Sequence, residues 1–320
     1  MASNTTPTEI HQQVKLVSRY QYTNELELTE FLQTTRLPHL IQGFDIGPCK
    51  ELWTSEYLHS VCSSNLVSVM VSLQPLLEFA PKNYEYKSMP LNELCKLCGI
   101  SHDLESASKM KEYYYLRSLG ENPFKDVADF YKQLPELSKD ILIPKVFTEE
   151  QYFSSVLRIA SAGIQLFTHY DIMDNILVQI RGRKRIALFS PRDSNNLYLQ
   201  KEKSPIVDID NPDWDKFPKF SNAIRWDCIL NPGDMLYIPA PWLHNVKNLD
   251  FTVAINFFWK NLDKSMYATN DVFGNKDLIP AQRAKQILSR ALKALDELPP
   301  EFKEFYGRNM IGIIEEKTFQ

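Results

Sequence analysis

The chain has 320 residues, 44% hydrophobic and 24% charged, with a formal net charge of −4. That balance excludes a disordered polar chain and a generally basic nucleic-acid binder, and no apolar run approaches the roughly 20 residues needed to cross a bilayer. Five scattered cysteines do not form a disulfide framework, and the start Met1-Ala2-Ser3-Asn4 lacks a basic segment followed by an apolar one, so an intracellular protein (cytoplasmic, nuclear or both) is expected rather than a secreted one.

Residues 1–24 are polar and are expected to be poorly ordered. From 25 to 110 the pattern mixes helices with a few strands. Leu26, Leu28, Phe31 and Leu32 have helical spacing, Leu40-Ile41-Gln42-Gly43 reads as a strand meeting a turn, and Thr54 is placed to cap a helix through the Tyr57 amide. Cys95 and Cys98 form a C-x-x-C pair with no second pair or nearby histidine, so they read as half-buried helix residues rather than zinc ligands.

From 111 to 262 short strands with turn signals dominate. The run from Ile164 to Asp171 reads as a strand ending, and a strand projects residues i and i+2 to one face. His169 and Asp171 then point together, with Tyr170 turned away. A second histidine, His244, follows the turn and strand Asn231-Pro232-Gly233-Asp234-Met235-Leu236-Tyr237-Ile238, and a barrel can bring it beside the first pair. Two imidazoles and one carboxylate hold iron(II) on one face and leave positions open for a cosubstrate and oxygen. Asn175 lies four residues after Asp171 and faces inward on the same count. Gly182 reads as a hairpin turn between the strands 175–180 and 186–190, so that Lys184 opens the returning strand and offers an ammonium to a dicarboxylic acid. The acidic run from Asp208 to Asp215 lacks the glycine and glutamate of a calcium loop and reads as an exposed loop.

From 263 to 320, Ala284, Ile287, Leu288, Ala291, Leu295 and Leu298 recur at helical spacing. Pro299-Pro300 breaks the pattern, and Phe302, Phe305, Tyr306, Met310, Ile313 and Ile314 resume it. Two amphipathic helices need a cover for their apolar faces. Either their own barrel or a second copy of the chain supplies it, and dimerisation is the expectation adopted.

The segment from about Tyr115 to Lys260 resembles the JmjC-type oxygenases, which use iron(II), 2-oxoglutarate and O2. The matching pieces include the His169/Asp171/His244 set, Asn175, Ile180-x-Gly182-x-Lys184-Arg185, Leu188-Phe189-Ser190-Pro191, Pro232-Gly233-Asp234, Trp242-Leu243-His244 and Asn256-Phe257-Phe258-Trp259-Lys260. The resemblance implies a mainly β fold, a double-stranded β-helix (a cupin-like jelly roll) with N-terminal α/β elements and a C-terminal helical pair. It implies iron ligation by His169, Asp171 and His244. The distal carboxylate of 2-oxoglutarate would go to Lys184 and Tyr115, and its chelating end to Asn175 and Asn256. Where many relatives carry Thr or Ser three residues before the first histidine, this chain has Leu166.

Within that family, the strings Tyr115-Leu116-Arg117-Ser118-Leu119-Gly120-Glu121, Thr168-His169-Tyr170-Asp171-x-Met173-Asp174-Asn175 and Tyr306-x-Arg308-x-Met310 resemble the branch that hydroxylates wybutosine. The implied substrate is phenylalanine tRNA carrying a wybutosine precursor, and the implied partner is a second copy through the C-terminal helices. Charge gives local support only: Arg181 and Arg183 near the site, and Arg283, Lys285, Arg290 and Lys293 on the first tail helix, are candidate phosphate contacts. A protein hydroxylase or histone demethylase on the same scaffold remains the alternative, and a metal-binding cupin without oxygenase activity a second one.

Overall fold

Period-two alternation of apolar residues sets up two sheets in the middle of the chain. The computed structural model describes residues 12–62, 66–99 and 112–319. The elements are, in order, β1 (Val14–Leu16), β2 (Ser18–Gln21), α1 (Glu25–Thr34), β3 (His39–Gln42), α2 (Cys49–Leu52), α3 (Ser55–Val61), β4 (Leu66–Ser72), β5 (Tyr84–Pro90), α4 (Leu91–Gly99) and β6 (Tyr113–Arg117). Then come α5 (Phe130–Gln133), α6 (Pro135–Ser138), β7 (Tyr152–Ala160), β8 (His169–Tyr170), β9 (Asp174–Arg181), β10 (Lys184–Phe189), β11 (Arg225–Leu230), β12 (Met235–Ile238), β13 (Leu243–Asn248) and β14 (Thr252–Trp259). The tail is α7 (Ile279–Leu295) and α8 (Pro300–Thr318). Among the described residues no helix is long and apolar enough to cross a membrane.

Strands β1-β11-β10-β13-β8 form one sheet, and β2-β3-β12-β9-β14-β7-β6-β4-β5 the other. The eight strands from β7 to β14 divide evenly between them, which is the double-stranded β-helix of a cupin-like jelly roll. Strands β9 and β14 are buried along nearly their whole length because both faces of their sheet are covered. Ile176, Val178, Ile180, Val253, Ile255 and Phe257 pack outward against Leu28 and Leu32 of α1, Leu58 of α3 and Leu91 and Leu94 of α4. Each such side chain stabilises the fold by about 1.5–3 kcal/mol through burial. Leu177 and Ala254, of opposite parity, pack inward with Ile186, Leu188, Leu236 and Val246. Asn175, Lys184 and Asn256 share the inward parity.

Local signals place the helices. Asn24 caps α1 by accepting from the Glu27 amide at 3.0 Å, and the Thr54 hydroxyl caps α3 through the Tyr57 amide at 3.2 Å, as its position suggests. Cys95 and Cys98 lie buried on α4, and all five cysteines are free thiols.

Two expectations are corrected. Residues 12–24 are not loose: β1 pairs in parallel with β11, and β2 with β3. These edge strands are held by backbone hydrogen bonds and expose most of their side chains, so a polar composition hides them. Residues 1–11 lie outside the described residues. Gly182 also does not close a hairpin, because β9 and β10 belong to different sheets. The chain crosses from one sheet to the other there. Gly182 has φ +66°, and a Cβ would run into the Phe251 carbonyl oxygen, so only glycine fits this corner.

The chain forms two units. One comprises Met1–Asn261 with Val272–Asn275, and the other Leu262–Asp271 with Lys276–Gln320. The second unit contains α7 and α8, broken at Pro299-Pro300 as the pattern suggests.

Candidate metal centre and cosubstrate pocket

The long sequence gap between the two histidines closes because β8 and β13 are antiparallel neighbours in which His169 lies directly opposite His244. Their ring centroids are 4.3 Å apart. Strand β8 is only two residues long, and Asp171 follows it immediately, turning a carboxylate oxygen to 3.6 Å from His244 Nε2. One ligand atom from each of the three residues lies within 4.8 Å of the others.

The histidines are oriented for ligation. His169 Nδ1 lies 3.1 Å from the Phe167 carbonyl oxygen, and His244 Nδ1 3.2 Å from that of Trp242. A proton on Nδ1 donated to a carbonyl leaves the Nε2 lone pair for a metal. Burial lowers the pKa of both rings, that of His169 to about 3 with the neighbouring His244 adding to the effect. Two neutral imidazoles and a carboxylate, three ligands on one side, fit an open-faced iron(II) site.

Beside the triad is a cavity of about 570 Å³. Its wall includes Tyr115, Arg158, Phe167, His169, Tyr170 and Asp171, with Tyr84 and Tyr86 from β5. Asn175, Lys184, Asn256 and His244 are buried and are not among the residues lining the cavity; the two asparagines are joined to the wall residue Arg158 by hydrogen bonds. Arg158 Nη1 donates to the Tyr115 hydroxyl oxygen at 2.5 Å, and its Nε donates to Asn256 Oδ1 at 3.0 Å. Asn256 Nδ2 in turn donates to Asn175 Oδ1 at 3.0 Å. The Asn175 Nδ2 is buried without a partner. Lys184 is 2% exposed, and burial followed by the nearby Arg158 charge pushes its ammonium down to about 7. It forms no ion pair among the described residues. A buried ammonium with no carboxylate and an amide with no acceptor are both costly unless an anion completes them. These residues fit a dicarboxylate cosubstrate.

The cupin-like domain family matches residues 24–265. The chain is 46% identical over 303 residues to tRNA wybutosine-synthesizing protein 5 of Mus musculus, covering 95% of this chain and 96% of that one, and equally to the Homo sapiens protein. The chain belongs to the tRNA wybutosine-synthesizing protein 5 family. A more distant relative is tRNA wybutosine-synthesizing protein 4 of Aspergillus oryzae, 35% identical over 290 residues, which are 88% of this chain and 27% of that larger protein.

Two residues of this family member escape a motif reading. Arg158 lies on a strand without a signature, Arg117 lies in the string 115–121 but takes no role from it, and strand parity, shared with Ala160 and Tyr115, points both inward. Leu166, the departure from the usual Thr or Ser, is buried on the cavity wall. The candidate phosphate contacts fall in two places. Arg183 is exposed and held by Asp250 at 2.8 Å, and Arg181 is half-buried. Arg283, Arg290 and Lys293 are exposed and share one side of α7 by helical spacing, whereas Lys285 points away from them and pairs with Asp277 at 2.6 Å.

Proposed function

We propose that the chain is an iron(II)- and 2-oxoglutarate-dependent dioxygenase that hydroxylates the side chain of a wybutosine-type guanosine in phenylalanine tRNA. The observation that carries the oxygenase reading is the convergence of three ligand atoms within 4.8 Å beside a buried, unpaired lysine. The family supplies the substrate class.

In this reading His169, Asp171 and His244 hold the iron. Lys184 neutralises the distal carboxylate of 2-oxoglutarate. The Tyr115 oxygen already accepts from Arg158, so its O–H hydrogen is free to donate to the same carboxylate. Asn175 Nδ2 takes the end next to the metal, with Asn256 fixing its orientation. The iron and its cosubstrate supply the oxidising power for inserting one oxygen atom into a C–H bond, with succinate and carbon dioxide released. The protein's part is to bind, orient and exclude water. Tyr84, Tyr86, Phe167 and Tyr170 give the cavity flat apolar surfaces on which a fused-ring base can stack.

The tRNA body requires phosphate contacts, which Arg283, Arg290 and Lys293 on α7 suit, with Arg181 and Arg183 a further set. A second copy of the chain covers the apolar faces of α7 and α8, making a homodimer. A tRNA substrate and ferrous iron both belong to an intracellular setting, cytoplasmic or nuclear.

The test uses the purified chain with iron(II), 2-oxoglutarate and phenylalanine tRNA from cells that lack the activity. The expected result is a gain of one oxygen on the modified guanosine, stoichiometric with succinate. Succinate formed with peptides but not with this tRNA would instead support the protein hydroxylase.

A further inference from the structure

The two halves of the triad meet across a short ladder. Strands β8 and β13 share two residue pairs, Leu243 with Tyr170 and His244 with His169, and Asp171 lies past the end of β8. A ladder that short leaves the mutual placement of Asp171 and His244 to other contacts. One such contact is made on the far side of the sheet, at Asp174. This aspartate opens β9, three residues after Asp171 and next to Asn175. Its parity is that of Ile176, so it points away from the cavity, and its side chain is 2% exposed.

Four hydrogen bonds converge on this buried carboxylate. Arg36, just beyond α1, approaches as a fork, with Nη1 2.7 Å from Oδ2 and Nη2 2.9 Å from Oδ1. The Ala240 amide donates to Oδ1 at 2.8 Å, and the Tyr237 hydroxyl donates to Oδ2 at 3.0 Å. Arg36 grips the same loop at two further points. Its Nη2 donates to the Ala240 carbonyl oxygen at 2.7 Å, and its own carbonyl oxygen accepts from Trp242 Nε1 at 2.9 Å. The Trp242 carbonyl is the group that meets His244 Nδ1. Asp174 and Arg36 therefore join the segment that carries Asp171 to the segment that carries His244. Bidentate pairing gives that joint a fixed geometry, and the opposite charge of Arg36 makes the buried carboxylate tolerable.

We propose that Asp174 and Arg36 are a positioning pair for the metal centre, a clamp that sets His244 against Asp171 without touching metal, cosubstrate or substrate. Partners behind metal ligands fix ligand orientation and affinity in this way. The proposal rests on the reading of His169, Asp171 and His244 as metal ligands, and is independent of the tRNA and 2-oxoglutarate assignments.

The test measures manganese(II) binding to the full chain by calorimetry, and the electron paramagnetic resonance spectrum of the bound ion, well below the Tm of each variant. D174N keeps the shape of the side chain but turns an amide N–H toward groups that are themselves donors. It should weaken manganese binding about 10- to 100-fold and alter the spectrum. R36M separates position from charge. Removing a positive charge and leaving the carboxylate would, by charge alone, tighten the binding of a divalent cation, whereas a broken clamp weakens it. R36K keeps the charge without the fork and should weaken binding about 3- to 10-fold.

A D174N variant that binds manganese within about 2-fold of the native chain and gives the native spectrum would overturn the clamp, whatever its Tm. So would tighter binding in R36M. If D174N or R36M fails to fold, R36K decides, because Arg36 is half-exposed and accommodates a lysine; native affinity and spectrum in R36K overturn the proposal. A native chain without a stoichiometric manganese site would instead sink the metal reading, and the clamp with it.

Discussion

The Arg158 guanidinium ties the Tyr115 hydroxyl, at 2.5 Å, to the Asn256 side chain, at 3.0 Å, in one rigid fork. The two proposed ends of the cosubstrate site are thus set by a single residue. R158M should raise KM for 2-oxoglutarate by about 10- to 100-fold, because it frees Tyr115 and Asn256 together. Y115F should cost less, about 3- to 10-fold, through one lost bond to an ionised group. The double variant should fall short of the sum of the two effects, since Arg158 acts partly through Tyr115. Succinate release as a function of 2-oxoglutarate measures all three, and additive effects would mean that the two residues act independently.

Lys184 should make the protein without cosubstrate less stable than it could be. Its folded pKa is about 7, whereas an unfolded lysine stays protonated to about 10.4. Between those values the unfolded chain holds the extra proton, so stability rises with pH. Below about 7 the ammonium is charged in both states and its full burial cost remains. The Tm of the cosubstrate-free protein should therefore increase from pH 7 to pH 9, by an amount on the order of a few kcal/mol in stability. K184M should flatten that slope and raise Tm at pH 7, yet weaken 2-oxoglutarate binding by more than about 100-fold through loss of a buried charge partner. A scan over pH with and without 2-oxoglutarate tests both halves, and a K184M variant that is less stable at pH 7 would refute the unpaired state of the lysine.

The architecture was legible in the sequence where side chains repeat with a period. The strand at 175–180, the break at Pro299-Pro300 and the Thr54 cap all follow from local rules. The meeting of His169 with His244 needed the family resemblance, because strand register between β8 and β13 is a long-range property. What escaped was of two kinds. β1 and β2 are held by backbone pairing, to which composition is blind, and the crossing at Gly182 looks like a hairpin because both give glycine between two strands. Arg158 belongs to no motif, and Arg117 stands in the string 115–121 without being singled out there. They meet across β6 and β7 through strand register, which a linear reading does not display.

Metal binding should be insensitive to pH in the neutral range. Burial and the second imidazole keep His169 neutral down to about 3, and His244 is shifted in the same direction. In the folded protein protons therefore do not compete for His169 in the neutral range, and compete less for His244 than for an ordinary histidine. Manganese(II) affinity, measured by calorimetry, should change less than about 3-fold between pH 7.5 and 6.0, a range over which an ordinary histidine with pKa near 6.5 is mostly titrated. The metal-free fold carries the opposite sensitivity. The unfolded chain takes up protons at these histidines once pH falls below about 6.5, so stability is lost as pH drops toward 3. H244A and D171A should each remove the manganese site. A stoichiometric site surviving in either would dissolve the triad.

The basic side of α7 should act through phosphate alone. R283E, R290E and K293E together should weaken phenylalanine tRNA binding by about 10- to 100-fold at low salt and reduce the salt dependence of binding by about two released counterions. K285E should change affinity less than about 3-fold, because that lysine is paired with Asp277 and points away from the other three. Fluorescence anisotropy across a salt series separates these outcomes. A single-site effect from K285E equal to that of the triple variant would move the RNA footprint to another face of the helix.

The tail helices expose more large apolar side chains than an unpartnered surface usually does. On α7, Ile287 and Leu292 are 65% and 50% exposed, and on α8 Phe302, Tyr306 and Ile313 recur along one side at 52%, 45% and 53%. Exposed large apolar side chains of this kind suit an association surface, and a twofold pairing of identical helices covers both copies at once. The native chain should therefore sediment at twice its 37.2 kDa mass at micromolar concentration. F302E with I313E should shift it to the single-chain mass, since a buried unpaired carboxylate costs several kcal/mol. Manganese binding by the barrel should persist in that variant, which separates loss of association from loss of folding. A native chain that sediments as a monomer would leave these helices to another cover and remove the homodimer from the proposal.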